Sequence, residues 1–244
     1  MHYNLSHEFI ILADTGESKI YTDRRIFDVD SSKTILDKYS LDILRKQYEK
    51  FYSVTDEKFN KDEFEKSVPE EFRVNTKGIE VGHIFYFGDK YSKPMNAAVD
   101  FNGKKEFVKM GSYGIGVSRL VGAIIEAKYN DTEGIMKWPM SVSPYDCAII
   151  PMINKNDKSN LEKSIKINDF LKSKNIETII DDTEENISAK IKKFNLIGIP
   201  YQLIIGSKSE GNLYEFKEVD GETQKLKVED IASQIIKAKQ NWFH

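Results

Sequence analysis

The hydrophobic period of this 244-residue sequence changes near its middle, and that change constrains the fold more than any other feature. Before residue 129 the apolar residues alternate, as in GIEVGHIFYFGDKYS (78–92), which is typical of half-buried strands. Beyond residue 144, apolar runs alternate with segments of helical period, which predicts a mixed sheet with right-handed crossovers. The sequence therefore predicts an α+β domain built on an antiparallel sheet over residues 1–130. A small α/β domain over 145–244 follows, joined by a linker over 131–144 that is rich in turn formers and proline.

The first half is predicted to be mostly strand. LSHEFIILAD (5–14) predicts a buried strand, and MNAAVDF and KEFVKM predict a hairpin that turns at NGK. SLDILRKQYEKFY (40–52) has its apolar residues at helical spacing, with Ser40 as the candidate N-cap. Within 78–92, strict alternation assigns one set of residues to one face and a second set to the other. These sets are Ile79, Val81, His83, Phe85 and Phe87, and Glu80, Gly82, Ile84 and Tyr86.

One apolar run, KMGSYGIGVSRLVGAIIEA (109–127), carries a single arginine in its middle, Arg119. The run predicts a strand that ends at Met110, a glycine turn, and a helix from about Ile115 that is apolar nearly all round and therefore buried. A guanidinium set into such a helix must find an anionic partner or reach water. That partner is either a carboxylate of the chain, which spacing alone favours, or a phosphate, which suits the planar guanidinium. The run fits neither the dinucleotide fingerprint nor the P-loop.

The composition narrows the class of protein. Hydrophobic residues make up 40% and charged residues 31%, which indicates a globular protein with an ample core. The single cysteine excludes internal disulfides and zinc clusters and fits a reducing cytosol. The net charge of −3 gives no global attraction to nucleic acid. No apolar run approaches the length of a membrane span and no signal peptide is recognised, so we expect a cytoplasmic protein. We also expect no metal among its site ligands.

Four segments, in order and at the family's spacing, resemble bacterial prolyl-tRNA synthetase, a class II aminoacyl-tRNA synthetase. They are GIEVGHIFYFGDKYS, GSYGIGVSRLVGAIIEA, WPMSVSPYDCAIIP and DDTEENISAKIKKFNLIGIPYQLIIG. The resemblance covers essentially the whole chain. It implies the C-terminal part of the class II catalytic domain followed by an anticodon-binding domain. It also implies the substrates proline, ATP with Mg²⁺ and tRNA(Pro), no tightly bound cofactor, and a homodimeric parent enzyme.

The resemblance assigns GIGVSR to motif 3 of class II synthetases. Arg119 would hold the ATP phosphates, and Gly114 and Gly116 would make room for the nucleotide. On the residues alone, the salt bridge to a carboxylate remains the alternative for Arg119.

The resemblance implies a proline pocket with an apolar wall and a few polar groups. His83 and Phe85 would line it, Glu8 would attract the imino group, and Ser112 would occupy a position where many relatives carry cysteine. The alternatives are a core histidine for His83 and a surface carboxylate for Glu8.

The second domain would read the anticodon of the tRNA. Lys190, Lys192 and Lys193, in SAKIKKFN, form the best local basic patch; the alternative is an ordinary solvated helix face. From residue 141 onward there are 15 lysines, 16 acidic residues and no arginine, the residue best shaped to read guanine. Relatives usually have an Arg-Pro-Gly-like run where this sequence has Asn186, Ile187 and Ser188, so the family's anticodon contacts do not transfer directly.

We find no counterpart of the family's motif 1, which forms the dimer interface, or of motif 2, which supplies a second arginine on the α-phosphate. The chain is therefore expected not to be competent alone. Only about sixty residues separate ADTGES from GIEVGHIF, so we expect no editing domain there. The alternative to a ligase portion is a non-catalytic synthetase remnant that acts as a tRNA- or protein-binding module.

Overall fold

The structure is a computed structural model that describes residues 5–31, 37–155, 157–206, 209 and 212–240. The chain divides into two compact units, Met1–Ala127 and Lys128–His244, and each is described by itself. Among the described helices, none combines the length and the apolar character that crossing a membrane requires.

The first unit is built around one long strand. In chain order its elements are β1 (Leu5–Leu12), β2 (Ser18–Asp23), α1 (Lys38–Tyr48), β3 (Ser53–Thr55), α2 (Lys61–Ser67), β4 (Arg73–Gly88), β5 (Ala98–Phe101), β6 (Lys104–Phe107), β7 (Met110–Ile115) and α3 (Val117–Lys128). The strand β4 pairs antiparallel with β1 along one edge and with β2 and β7 along the other, while β3 extends the sheet beyond β2. The hairpin β5–β6 is a separate two-stranded sheet. It turns at Asn102 and Gly103, whose φ angles of 50° and 72° suit a tight hairpin turn.

The helix α1 begins one turn earlier than its candidate cap indicated. Asp37 is the N-cap, and its carboxylate accepts hydrogen bonds from the backbone N–H groups of Tyr39 and Ser40. Ser40 therefore lies inside the helix, and its prediction as N-cap is wrong. Asp and Ser are both favourable N-cap residues, so sequence alone did not choose between them.

The glycine turn predicted after Met110 is wrong, because Met110–Ile115 is the strand β7. This strand pairs antiparallel with β4, from Gly88 to Gly82. Hydrogen bonds to β4 therefore hold these glycine-containing residues in an extended conformation. The helix α3 follows, but its predicted burial is also wrong. Of its residues only Ala123 is buried, and Val117 is 72% exposed, because no other described element covers its outer side.

The second unit is a five-stranded mixed sheet with helices on both faces. Its elements are β8 (Tyr129–Asn130), β9 (Ile135–Met136), β10 (Cys147–Pro151), α4 (Ser159–Lys172), β11 (Thr178–Ile180), α5 (Ile187–Ile197), β12 (Tyr201–Ile205), β13 (Leu213–Glu218), β14 (Gln224–Lys227) and α6 (Val228–Gln240). The strand order is β11-β10-β12-β13-β14, with the first three parallel and the last two joined as an antiparallel extension. One apolar cluster packs beneath α4 and α6 and another beneath α5. The predicted fold class is confirmed.

Residues 131–144, predicted to be a linker, include the strand β9 and pack on the second unit. Met136 is buried, and the indole N–H of Trp138 donates to the main-chain oxygen of Ile197 over 2.9 Å. Gly198 ends α5 in the left-handed region, with a φ of 84°, and a Cβ at that position would collide with Met136. This segment thus packs against the end of α5 in the second unit.

Candidate functional site

A β-bulge in β4 brings Glu80 and His83 to the same face of the first sheet. On the neighbouring strand β1, Glu8 lies opposite His83 and Ile10 lies opposite Glu80, so Val81 is an extra residue on β4. An extra residue reverses the alternation of side chains on its own strand. The sequence predicts Glu80 and His83 on opposite faces, and this prediction is therefore wrong.

The bulge is fixed from the neighbouring motif. The N–H of Gly116, at the start of α3, donates to the main-chain oxygen of Val81 over 2.9 Å. A Cβ at Gly116 would lie 3.3 Å from the Cβ of Arg119, so glycine relieves a tight contact within this turn. Gly78 and Gly82, which flank the bulge within a strand, are the signal that sequence analysis could have used.

Register places the predicted proline-site residues side by side. On β7, Gly114 lies opposite His83 and Ser112 lies opposite Phe85. Glu8, His83 and Gly114 thus form one row across three strands, and Phe85 and Ser112 lie in the next row on the same face. No heavy atom lies within 4 Å of the position that a Cβ on Gly114 would take, so the space beside His83 is open.

The imidazole of His83 has a neighbouring side chain on each of three sides. Its ring stacks on Phe85 with centroids 3.7 Å apart. Its Nδ1 lies 3.1 Å from Oε1 of Glu80, and its Nε2 lies 3.8 Å from Oε1 of Glu8. The Nε2 atom is shielded from solvent and has no hydrogen-bond partner among the described residues. The site therefore combines an aromatic wall, two carboxylates and one unused ring nitrogen.

Arg119 lies at the edge of this site with its guanidinium partly free. Its Nη1 donates to the main-chain oxygen of Glu80 over 3.0 Å and lies 3.4 Å from Oε1 of Glu17. The side chain is 54% exposed, so its predicted burial is wrong. Glu17 is a carboxylate partner of the kind that spacing alone favoured. The rest of the guanidinium is accessible to an anion, and Glu17 and Glu80 are site residues that sequence analysis missed.

The predicted basic patch of the second unit is reduced by the structure. The side chain of Lys190 is completely buried, and its Nζ donates to the main-chain oxygens of Pro151 and Asp181, each 3.0 Å away. Lys190 therefore cannot belong to a surface patch. Lys193 is paired with the carboxylates of Asp181 and Glu185.

Of the three predicted tRNA-binding lysines, Lys192 is exposed, whereas Lys193 is partly exposed and ion-paired. Asn186, where relatives usually have the Arg-Pro-Gly-like run, is the N-cap of α5, and its side chain accepts from the N–H of Ala189. The helix that carries the lysines thus begins normally without that run.

No group of three or more histidine, cysteine, aspartate or glutamate side chains with metal-binding geometry occurs in the part of the chain that the structure describes. A metal that arrives with a nucleotide phosphate would need fewer protein ligands, since Mg²⁺ is commonly bound by one or two carboxylates together with substrate phosphates.

Comparison with known proteins gives a consistent set of relatives. A family model described as an anticodon binding domain matches residues 146–238. A protein named proline–tRNA ligase from Pelagibacter ubique is 66% identical over 97% of this chain, and one from Bartonella tribocorum is 44% identical over 95%. The chain spans about half the length of these curated relatives, 53% in each case.

A solved structure supports the fold. It is the prolyl-tRNA synthetase from Cryptosporidium parvum complexed with L-proline and AMP, which aligns with a TM-score of 0.60. The alignment covers 68% of this chain and 35% of that chain at 20% sequence identity, so it bears on the fold alone.

Proposed function

Because this chain belongs to the proline–tRNA ligase family, in which it corresponds to the C-terminal part, we propose that it supplies the C-terminal half of an enzyme that activates proline with ATP and transfers it to tRNA(Pro). One observation carries the proposal. The sheet register brings Glu8, His83, Phe85 and Ser112 onto one face, with the guanidinium of Arg119 at its edge.

In the proposed reaction this face binds proline beside ATP. The stacked rings of His83 and Phe85 provide an apolar wall for the pyrrolidine ring, and the Glu8 carboxylate attracts the imino group. Ser112 lies beside that wall. Proline's carboxylate would then attack the α-phosphate in line, and no nucleophile from the protein is required.

Arg119 is the proposed phosphate ligand. Its contact with the main-chain oxygen of Glu80 fixes one side of the guanidinium, while the exposed side can neutralise charge that develops on the phosphates. Mg²⁺ would enter with ATP. Gly116 supports the role through its N–H, which binds the bulge, and Gly114 supports it by leaving open space beside His83.

The opposite face of the same strands supports an incomplete catalytic sheet. Along β7, Tyr113 and Ile115 alternate with Ser112 and Gly114 and therefore point to the other face. Their exposures are 76% and 75%. Phe9 on β1 shares their face and is also exposed. Adjacent exposed apolar side chains mark a surface that another element covers. We assign that role to the N-terminal half of the ligase.

The second part of the chain, residues 145–244, is the proposed tRNA-reading domain, with 1–130 as the catalytic part and 131–144 between them. Lys192 is its proposed tRNA contact. Lys193 is a weaker candidate, because the carboxylates of Asp181 and Glu185 already neutralise its charge. The assembled enzyme is proposed to be a cytoplasmic homodimer.

Aminoacylation tests this function directly. The chain is mixed with a fragment that carries the N-terminal half of the Pelagibacter ubique relative, and the transfer of radiolabelled proline to tRNA(Pro) is followed. We expect charging by the mixture and none by either half. If the mixture fails to charge although the two halves bind each other, the chain is a remnant. Retention of tRNA(Pro) by the chain would then identify a binding module.

A further inference from the structure

We propose that Glu80 is a positioning residue of the proline site, which fixes the proton of neutral His83 on Nδ1 and so leaves Nε2 as a hydrogen-bond acceptor for the ligand, beside the Glu8 carboxylate. The inference deepens the proposed function and rests on it for the identity of the ligand. Its structural part concerns this chain alone.

The arrangement depends on the bulge. In a regular strand, Glu80 and His83 would point to opposite faces, but the extra residue Val81 brings them together. The bulge thus turns the Glu80 carboxylate toward His83, whereas regular pairing would direct it to the other face. The bulge is held by the N–H of Gly116, so the motif that carries Arg119 also sets the geometry around His83.

The Glu80 contact decides which nitrogen of the neutral ring carries the proton, because an ionised carboxylate can only accept a hydrogen bond. The carboxylate of Glu80 is an acceptor 3.1 Å from Nδ1, so the neutral ring donates from Nδ1. The Nε2 atom has no donor or acceptor within hydrogen-bond distance among the described residues, and the nearest carboxylate, that of Glu8, is 3.8 Å away. Second partners of this kind commonly set the tautomer of a functional histidine.

The resulting pair of acceptors fits a secondary ammonium. Proline's ammonium group carries two N–H bonds, and one can be donated to Nε2 of His83 while the other is donated to Glu8. The present arrangement of side chains shields Nε2, so binding requires a side-chain movement that exposes this atom as the ligand enters. The ammonium group of a primary amino acid can also donate to these two acceptors. Selection for the pyrrolidine ring of proline would then come from the apolar wall formed by the stacked rings of His83 and Phe85.

Glu80 also connects the two substrate sites through separate atoms. Its carboxylate contacts His83, whereas its main-chain oxygen accepts from Arg119. Truncation of the side chain therefore removes the first contact and leaves the second. This separation distinguishes positioning of His83 from a general loss of structure.

Long-range proton–nitrogen NMR correlations of the histidine rings test the tautomer in the isolated chain at about pH 8, where free imidazole is neutral. The sequence has four histidines, and a His83→Gln variant assigns the signal. We expect the proton of His83 on Nδ1 in the wild type and in Glu80→Gln, whose amide oxygen can still accept. Glu80→Ala should move it to Nε2 or give a mixture. Glu17→Ala, which removes a carboxylate near Arg119, should leave the His83 signal unchanged.

A proton on Nε2 in the wild type, or protonation of both nitrogens, would overturn the proposal, as would an unchanged signal in Glu80→Ala. The second measurement uses the chain joined with the N-terminal half. In Glu80→Ala we expect the KM for proline to rise about tenfold with the KM for ATP unchanged. Equal rises in both constants would indicate a structural role instead. If the wild-type mixture is inactive, the proposed function fails and the NMR result still decides the tautomer.

Discussion

Lys190 donates a hydrogen bond from a completely buried side chain to the main-chain oxygen of Asp181, 3.0 Å away. A second hydrogen bond joins the same ammonium to Pro151 at the end of β10. The helix α5 is thereby tied to the ends of two parallel strands. A buried ammonium is tolerated only when it is paired and hydrogen-bonded, as it is here.

Replacement of this lysine is therefore expected to destabilise the second unit. Lys190→Met removes both hydrogen bonds and leaves the Asp181 carboxylate, 3% exposed, without one of its cations, at a cost of about 3 kcal/mol. Urea unfolding followed by tryptophan fluorescence measures the loss, since both tryptophans, Trp138 and Trp242, follow residue 128 in the sequence. The exposed Lys192→Met is the matched control and should change stability by less than about 0.5 kcal/mol. Equal effects of the two substitutions would contradict this role.

Asp181 gives the second unit a defined response to acid. Burial raises the pKa of its carboxyl, but hydrogen bonds from Thr183 and Lys193 outweigh that effect and the pKa lies below its ordinary value of 3.8. Because the folded-state pKa is depressed, this contribution is fully present above the unfolded value and is lost as the pH falls through the folded one.

The comparison between the wild type and Asp181→Asn isolates this contribution. The stability difference between them should be constant from about pH 7 to pH 5 and should shrink below about pH 4. Urea unfolding at each pH measures it. A difference that stays constant down to about pH 2, or that grows with acid, would contradict the assignment.

Cys147 is predicted to be unreactive in the folded chain. It is the only cysteine in the sequence, and its side chain is fully buried in β10. Burial, together with the charge of Asp146, raises the pKa of the thiol far above its ordinary range, so little thiolate forms. Alkylation by iodoacetamide should proceed only as fast as the second unit opens, and Lys190→Met should accelerate it. Rapid labelling of the wild type under native conditions would contradict the buried position.

The exposed apolar face of β7 is predicted to be the surface that binds the N-terminal half. Ile115→Ser removes an apolar side chain from that face and should weaken the association by about tenfold. Val99→Ser is the matched control, since Val99 is also a β-branched apolar residue and is 52% exposed, but lies on the separate hairpin β5–β6. Titration of the fluorescently labelled fragment gives both dissociation constants. An equal loss of affinity in Val99→Ser and Ile115→Ser would show that this face of β7 is not the binding surface.

Much of the fold followed from hydrophobic periods alone. The alternating strands of the second unit and the helices between them are local patterns, and the structure has them in the predicted order. The two errors around β4 have a common cause. The pairing of β7 with β4 and the bulge at Val81 depend on hydrogen bonds to a distant strand, which no local window contains.

The candidate site was predictable in part. Residue type and the family resemblance predicted Glu8, His83 and Arg119 as site residues. The structure adds the contacts of these three side chains. Glu80 was missed because strict alternation assigned it to the wrong face. Lys190 was assigned to the surface because its charge suggested solvent, whereas burial with three oxygen partners is a tertiary property.

The most direct test of the central claim is proline-dependent exchange of pyrophosphate into ATP, which isolates amino-acid activation from tRNA binding. The chain is assayed alone, then with the N-terminal half of the Pelagibacter ubique relative, and then as Arg119→Ala with the same fragment. We predict no exchange alone, exchange on mixing, and a loss of about a hundredfold or more in the Arg119→Ala mixture. Undiminished exchange in that variant, or none in a wild-type mixture whose halves bind each other, would contradict the account.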